Sequence, residues 1–260
     1  MILAVDIGNI RTTVALFYPD GKLAFLSEMG TDRKLTEDQY AILILGIFQL
    51  YDSDINQVSG AILSSVVPSM TSVCSSAIRR LTDKTAIVVG PGIKTGLNIK
   101  ADVHNQLGSD IVSSAVAACA CYPSPVIVIN SHTAVSFSYM NGSSFEGCAI
   151  MPGMSIALEA LSNNGAQLPQ ISMGCVDSAL GRNTVDSMRA GIIYGYAGAF
   201  DRLIEQLESA TGTPAASVVV TGENFSEVFR HCTHKMIYDQ HLLVNGLFRL
   251  YKKNTEKSHR

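Results

Sequence analysis

Apolar and polar positions follow a pattern that appears twice along the chain. Residues 2–6 (ILAVD) are a solid apolar run ending on a carboxylate, which predicts a buried strand stopped by Gly8 and Asn9. Residues 12–18 (TTVALFY) predict a second strand, Pro19-Asp20-Gly21 a turn, and residues 22–27 a third strand. Residues 35–51 carry a helical period, 61–66 (AILSSV) a strand, and Pro68 opens a helix through Leu81. A short strand at 86–89, a glycine-rich connection at 90–96 and a small-residue helix at 111–121 complete the first series.

The same logic then returns. Residues 126–129 read as a strand, 134–139 as its hairpin partner, Asn141-Gly142 as the turn and 145–150 as the third strand. Helices follow at 155–162 and, as a long amphipathic stretch, at 185–208. Residues 217–221 (SVVVT) predict a late strand and 241–251 a closing helix. Two similar α/β halves are expected, with a cleft between them lined by the turn after each first strand.

Composition narrows the class of protein. The chain has 260 residues, 47% hydrophobic and 16% charged, enough for one large or two small domains with a sizeable core. A formal net charge of −3 gives no general attraction to nucleic acid or membrane, and neither is expected as a partner. The apolar run from Tyr40 to Tyr51 is too short to span a bilayer. The 6 cysteines form no C-x-x-C pair and lie mostly among small apolar residues, which suits reduced thiols in the cytoplasm. The N-terminus enters a strand at once, so no signal peptide is expected.

The turn after the first strand has a chemical logic of its own. A strand-end Asp6 presents a carboxylate, Gly8 lets backbone approach a phosphate, and turn N–H groups with Thr12 and Thr13 offer donors. The bland alternative is a structural Asp and a turn glycine. Asp110, taken alone, reads as a helix N-cap ahead of a small-residue helix sooner than as a catalytic group.

Eight stretches resemble type III pantothenate kinases of the actin–Hsp70–sugar-kinase superfamily, in matching order almost end to end. They are DIGNIRTTVALF (6–17), SSVVPSMT (64–71), GPGIKTGLNI (90–99), LGSDIVSSAVAA (107–118), GCAIMPGMSIALEAL (147–161), AQLPQI (166–171), LGRNTVDSMRAGIIYGYAG (180–198) and YDQHLLVNGLFRLYKKN (238–254). The resemblance implies tandem ribonuclease H-like (actin-like ATPase) halves, with mixed sheets flanked by helices and a cleft between them. The boundaries expected are 1–118, 119–254 with the dimerisation helix, and a frayed basic tail at 255–260.

It also implies a reaction, transfer of the ATP γ-phosphoryl group to pantothenate in coenzyme A biosynthesis, by a homodimer. Carried over, ATP contacts fall on Asp6, Ile7, Gly8, Asn9, Ile10, Arg11, Thr12, Thr13 and Thr133. The general base falls on Asp110, and substrate contacts on Gly108, Ser109, Asp110, Ile111 and, across the dimer, Thr184. Mg2+ accompanies ATP, held by Asp6 through water, and the family's monovalent cation (K+ or NH4+) falls at Asn130.

Departures from the family pattern gather in the site. D-x-G-T-A reads Asn130-Ser131-His132-Thr133-Ala134, which drops the carboxylate and puts an imidazole where a glycine stood. A later hairpin aspartate is Ser138, the arginine of G-A-D-R is Ile111, and Y-D-N-P reads Ala101-Asp102-Val103-His104. T-G-G ends on Glu223, and Asn-Thr of the first turn is Ile10-Arg11. Arg11 offers a phosphate donor of its own, whereas His132 and His104 lack acidic or thiol partners at ligand spacing. These substitutions predict weak or lost activity. They leave open a catalytically inactive paralogue that binds or regulates on the same dimeric fold, and a phosphotransferase for another small hydroxyl compound.

Overall fold

A computed structural model describes residues 1–100, 107–223 and 225–256. The Ala101–His104 segment and residues 257–260 of the tail lie outside the described residues. The chain divides into two compact units, one of Met1–Leu97, Asp102–Ala117 and His241–Arg260, the other of Asn98–Ala101 and Ala118–Gln240.

The first unit is built on β1 (Ile2–Ile7), β2 (Arg11–Phe17), β3 (Leu23–Gly30), β4 (Gly60–Ser65) and β5 (Ile87–Val88), with sheet order β3-β2-β1-β4-β5. β1 runs antiparallel to β2 and parallel to β4, so the sheet is mixed. Its strands are near-continuous apolar runs because helices cover both faces. Leu3, Val5, Ile7, Val14 and Leu16 pack on one side with Tyr40, Ile44 and Phe48 of α1 (Glu37–Leu50) and Met70, Cys74 and Ile78 of α2 (Pro68–Thr82). Thr36 opens α1 with a reciprocal capping box to Gln39, and Pro68 occupies the first turn of α2.

On the opposite side, Ile2, Ala4, Ala15, Phe17 and Ile62 meet Leu243, Val244, Leu247 and Leu250 of α7 (Leu242–Thr255). The closing helix therefore belongs to the first unit, not to the second half in which sequence order placed it. Its apolar stripe supplies the missing cover for that face of the first sheet. It crosses α3 (Ser109–Cys121) at Gly246, where a Cβ would run into the Ser113 carbonyl oxygen. Glycine is what lets the two helices approach so closely there.

The second unit carries a six-stranded sheet in the order β11-β10-β7-β8-β9-β6. The strands are β6 (Asn98–Ile99), β7 (Val126–Ser131), β8 (Ala134–Asn141), β9 (Ser144–Pro152), β10 (Ser217–Gly222) and β11 (Ile237–Tyr238). Read from the other edge, β9-β8-β7-β10-β11 repeats the first sheet's order. The two-residue strands β6 and β11 carry too few positions for a period, and the sequence reading missed them. Ile127, Ile129, Val135, Phe137 and Tyr139 pack against Tyr196, Phe200 and Ile204 of α5 (Thr184–Thr211). Asn183 caps α5 by accepting from the Asp186 N–H at 2.9 Å. α4 (Met154–Asn164) precedes it, and the short α6 (Ser226–Phe229) follows β10. No helix of the described residues is long and apolar enough to cross a membrane.

Candidate active site

Asp6 is the fifth residue of β1, on the face shared with Ile2 and Ala4, and is 9% exposed. Its Oδ1 is buried without a hydrogen-bond partner. Burial pushes its carboxyl up to about 7, aided by the charge of Asp110. An orphaned, hard oxygen on a carboxylate this costly to bury is a strong sign of a site kept for a ligand. The turn beyond it is closed by the Gly8 N–H donating to the Arg11 carbonyl at 2.9 Å. A Cβ on Gly8 would stand 2.9 Å from that same oxygen, so a side chain would force the turn open.

Asp110 reaches Asp6 through the fold. β4 lies beside β1 in parallel register, pairing Ser64 with Asp6. Ser109 begins α3 and its Oγ accepts from the Ser64 hydroxyl at 2.9 Å and from the Ser65 N–H at 3.0 Å. Asp110 therefore lies inside the first turn of α3 rather than at its cap, and it is half-buried. Gly108 has no room for a Cβ against the Asp110 carboxylate. Ile111 is buried, so the position that carries an arginine in the resembling family here holds an apolar side chain shielded from solvent.

The remaining first-turn residues divide by strand face. Thr12 is fully buried, its hydroxyl shared with Thr31 at 2.9 Å and Tyr40 at 3.0 Å, and Ile7 packs in the core. Thr13, paired with Asp6 across β1 and β2, is half-buried on the other face. Arg11 is ion-paired with Glu28 at 2.7 Å, and Asn9 accepts from Arg33 at 2.8 Å. Ile10 is exposed.

In the second unit Asn130 occupies the fifth position of β7, paired with Ser136 on β8 and Thr221 on β10. It is 2% exposed, its amide donates to Ser136 Oγ at 3.5 Å, and its Oδ1 has no partner. Ser138 Oγ, two residues along the same face, is also buried and unpartnered. The ends of β7 and β10 are tied reciprocally: Glu223 N–H donates to the Ser131 carbonyl at 2.8 Å and Ser131 Oγ to the Glu223 carbonyl at 3.0 Å. Thr133 is half-buried and its carbonyl accepts from the Gly153 N–H at 2.9 Å. His132 is exposed, and among the described residues no group of three His, Cys, Asp or Glu side chains could hold a metal ion. Thr184 is exposed at the first position of α5.

Sequence reasoning missed Ser64 and its bond to Ser109. The signal was present in SSVVP, where a hydroxyl stands at a strand end beside the carboxylate strand.

The type III pantothenate kinase family profile matches residues 2–206. A type III pantothenate kinase of Brevibacillus brevis is 37% identical over 258 residues, spanning 98% of this chain and 99% of that one. That of Listeria innocua is 37% identical over 261 residues, spanning 99% and 100%. Among solved structures, a Baf family transcriptional activator of Campylobacter jejuni matches with a TM-score of 0.58 at 17% identity, covering 97% and 98%. The activator of 2-hydroxyisocaproyl-CoA dehydratase from Clostridium difficile, solved with ADPNP, matches with a TM-score of 0.58 at 9% identity, covering 97% and 94%. At such identities the structural likeness speaks for the fold, that of the actin-like ATPases.

Proposed function

The chain belongs to the type III pantothenate kinase family, and from that premise we propose that it phosphorylates pantothenate with ATP in the cytoplasm. The observation that carries the catalytic reading is the retained pair of Asp6 and Asp110, coupled across β1, β4 and α3.

In this reading Asp110 takes the proton of the substrate hydroxyl as its oxygen bonds to the γ-phosphorus. The bond from that phosphorus to the β–γ bridging oxygen breaks, and ADP leaves with the electron pair. The turn after Gly8 offers backbone N–H groups and the Thr13 hydroxyl to the phosphates. Asp6 fits a divalent ion held through water, since its buried Oδ1 lacks any other partner. Such an ion, when bound with ATP, supplies positive charge against the phosphates.

Asn130 fits its family role poorly. It offers one neutral amide oxygen with the hydroxyls of Ser136 and Ser138 nearby, and no carboxylate to attract a cation.

Self-association completes the reading. Thr184 is exposed, as are Ile150, Ile156, Leu161 and Leu180 of the same unit. Gly191, Gly195 and Gly198 leave open space along α5, which suits close approach of a second copy. Sedimentation as a monomer at micromolar concentration would remove this part.

A second reading is favoured by Ile111 and Asn130, where apolar or neutral groups replace charged ones. It is a dimeric binding or regulatory protein without turnover. Calorimetry with Mg–ATP, with and without potassium, followed by pantothenate turnover, separates the two. Binding with turnover that fails in Asp110→Asn supports the kinase. Absence of binding at millimolar ATP overturns it.

A further inference from the structure

The end of β7 is buried and carries no charge of its own. Asn130, Ser136, Ser138 and Thr221 are all buried there, on three neighbouring strands, and none ionises near neutral pH. β7, β8 and β10 contain no acidic residue. On β9 the carboxylate of Glu146 is already paired with Lys100 at 2.9 Å. Glu223 stands one residue beyond β10, tied to Ser131 through its backbone N–H and carbonyl.

Two buried atoms of this set lack a partner, and their needs are opposite. Asn130 Oδ1 can only accept a hydrogen bond, whereas the Ser138 hydroxyl has a proton to donate. The Asn130 amide already donates to Ser136 Oγ at 3.5 Å. A single water can donate to the amide oxygen and accept from the hydroxyl. A cation takes lone pairs only, so it would leave the Ser138 proton without an acceptor. It would also bring a full positive charge into a neutral, buried set of groups, where no carboxylate on these strands offsets its lost hydration. The residues present therefore disagree with the monovalent ion that the family places at position 130.

We propose that nucleotide binding and phosphoryl transfer by this chain are independent of K+ and NH4+, with an ordered water between Asn130 Oδ1 and the Ser138 hydroxyl in the place of the ion. The transfer half rests on the kinase reading above. The binding half stands without it.

The test exchanges potassium, ammonium and choline chlorides at fixed ionic strength on the full-length protein. Pantothenate turnover and the Mg–ATP Kd are expected to agree within about twofold among the three salts. The ligand-free melting temperature is expected to agree within about 1 °C. Asn130→Asp is expected to acquire a potassium response, its melting temperature rising by at least about 2 °C over that in choline. A wild-type rate or Mg–ATP affinity that improves about tenfold in potassium overturns the proposal. If Glu223→Gln abolishes that improvement, the ion is held by the carboxylate beyond β10. An Asn130→Asp variant as indifferent to potassium as the wild type also overturns it, because the charge at that position would then decide nothing. A wild-type chain that turns over no pantothenate in any salt overturns the kinase reading and the transfer half with it. Calorimetry and melting in the three salts still decide the binding half: indifference to potassium supports it, and a potassium response overturns it.

Discussion

The ends of β1 and β7 occupy the same place in two copies of one topology. Each belongs to a first strand with an antiparallel hairpin partner on one side and a parallel strand on the other. At the fifth residue one has Asp6, the other Asn130. Both side chains are buried and both leave one oxygen without a partner. The frames are alike and the charges are not. Asp6 keeps a carboxylate whose burial raises its proton affinity, with a second carboxylate close by. Asn130 has hydroxyls, those of Ser136, Ser138 and Thr221, along its face. Hydrophobic registry can therefore build the same strand end with or without a charge on it, because core packing and site chemistry are answerable to different residues.

The largest effect expected from breaking this comparison is at Asp110. Asp110→Asn should lower kcat by about 10²- to 10⁴-fold with Mg–ATP affinity changed by less than about threefold, as turnover and calorimetry would read. Asp6→Asn should come next. It makes the first half resemble the second, abolishing measurable Mg–ATP binding while stabilising the ligand-free protein at pH 8 by on the order of 1–3 kcal/mol, since a buried charge is removed.

The pH dependence follows in sign. The folded carboxyl of Asp6 lies near 7, above its ordinary value of 3.8. Its contribution to ligand-free stability is fully present below 3.8 and is lost as pH rises through about 7. Unfolding curves from pH 4 to 8 should be flatter in Asp6→Asn.

Asn130→Asp runs the exchange the other way. An added buried carboxylate without a charged partner should lower the melting temperature in potassium-free buffer by about 3–8 °C, with partial recovery on adding potassium. An unchanged melting temperature would show that the second strand end tolerates charge as it stands.

The smallest effect is at Asp201 in the second unit. Burial tends to raise its carboxyl, but the N–H groups of Thr233 and His234 and the His234 ring hold it below the usual carboxylate range. Its stabilisation is present above the unfolded value and is lost as pH falls through the folded one, opposite in sign to Asp6. Asp201→Asn should cost about 1 kcal/mol at pH 7, and progressively less as pH falls below the ordinary carboxylate value of 3.8.

Much of the frame was legible because strands covered on both faces read as unbroken apolar runs, as ILAVD and VIVIN do. The α7 placement was not. Its stripe of Leu243, Val244, Leu247 and Leu250 announces a helix but not the sheet it covers, which depends on contacts distant in sequence. The first turn was legible as a site, but the inward face of Thr12 was decided by Tyr40 and Thr31, far along the chain. Asp110 could be named through resemblance alone. The Ser64–Ser109 bond that brings it to Asp6 joins two motifs whose proximity no local pattern reveals.

The most direct measurement is steady-state phosphorylation of pantothenate by the wild-type chain and by Asp110→Asn under saturating Mg–ATP. The account predicts turnover that falls at least about 10²-fold in the variant while nucleotide binding persists. Equal rates in the two proteins, or no turnover in the wild type, would contradict it.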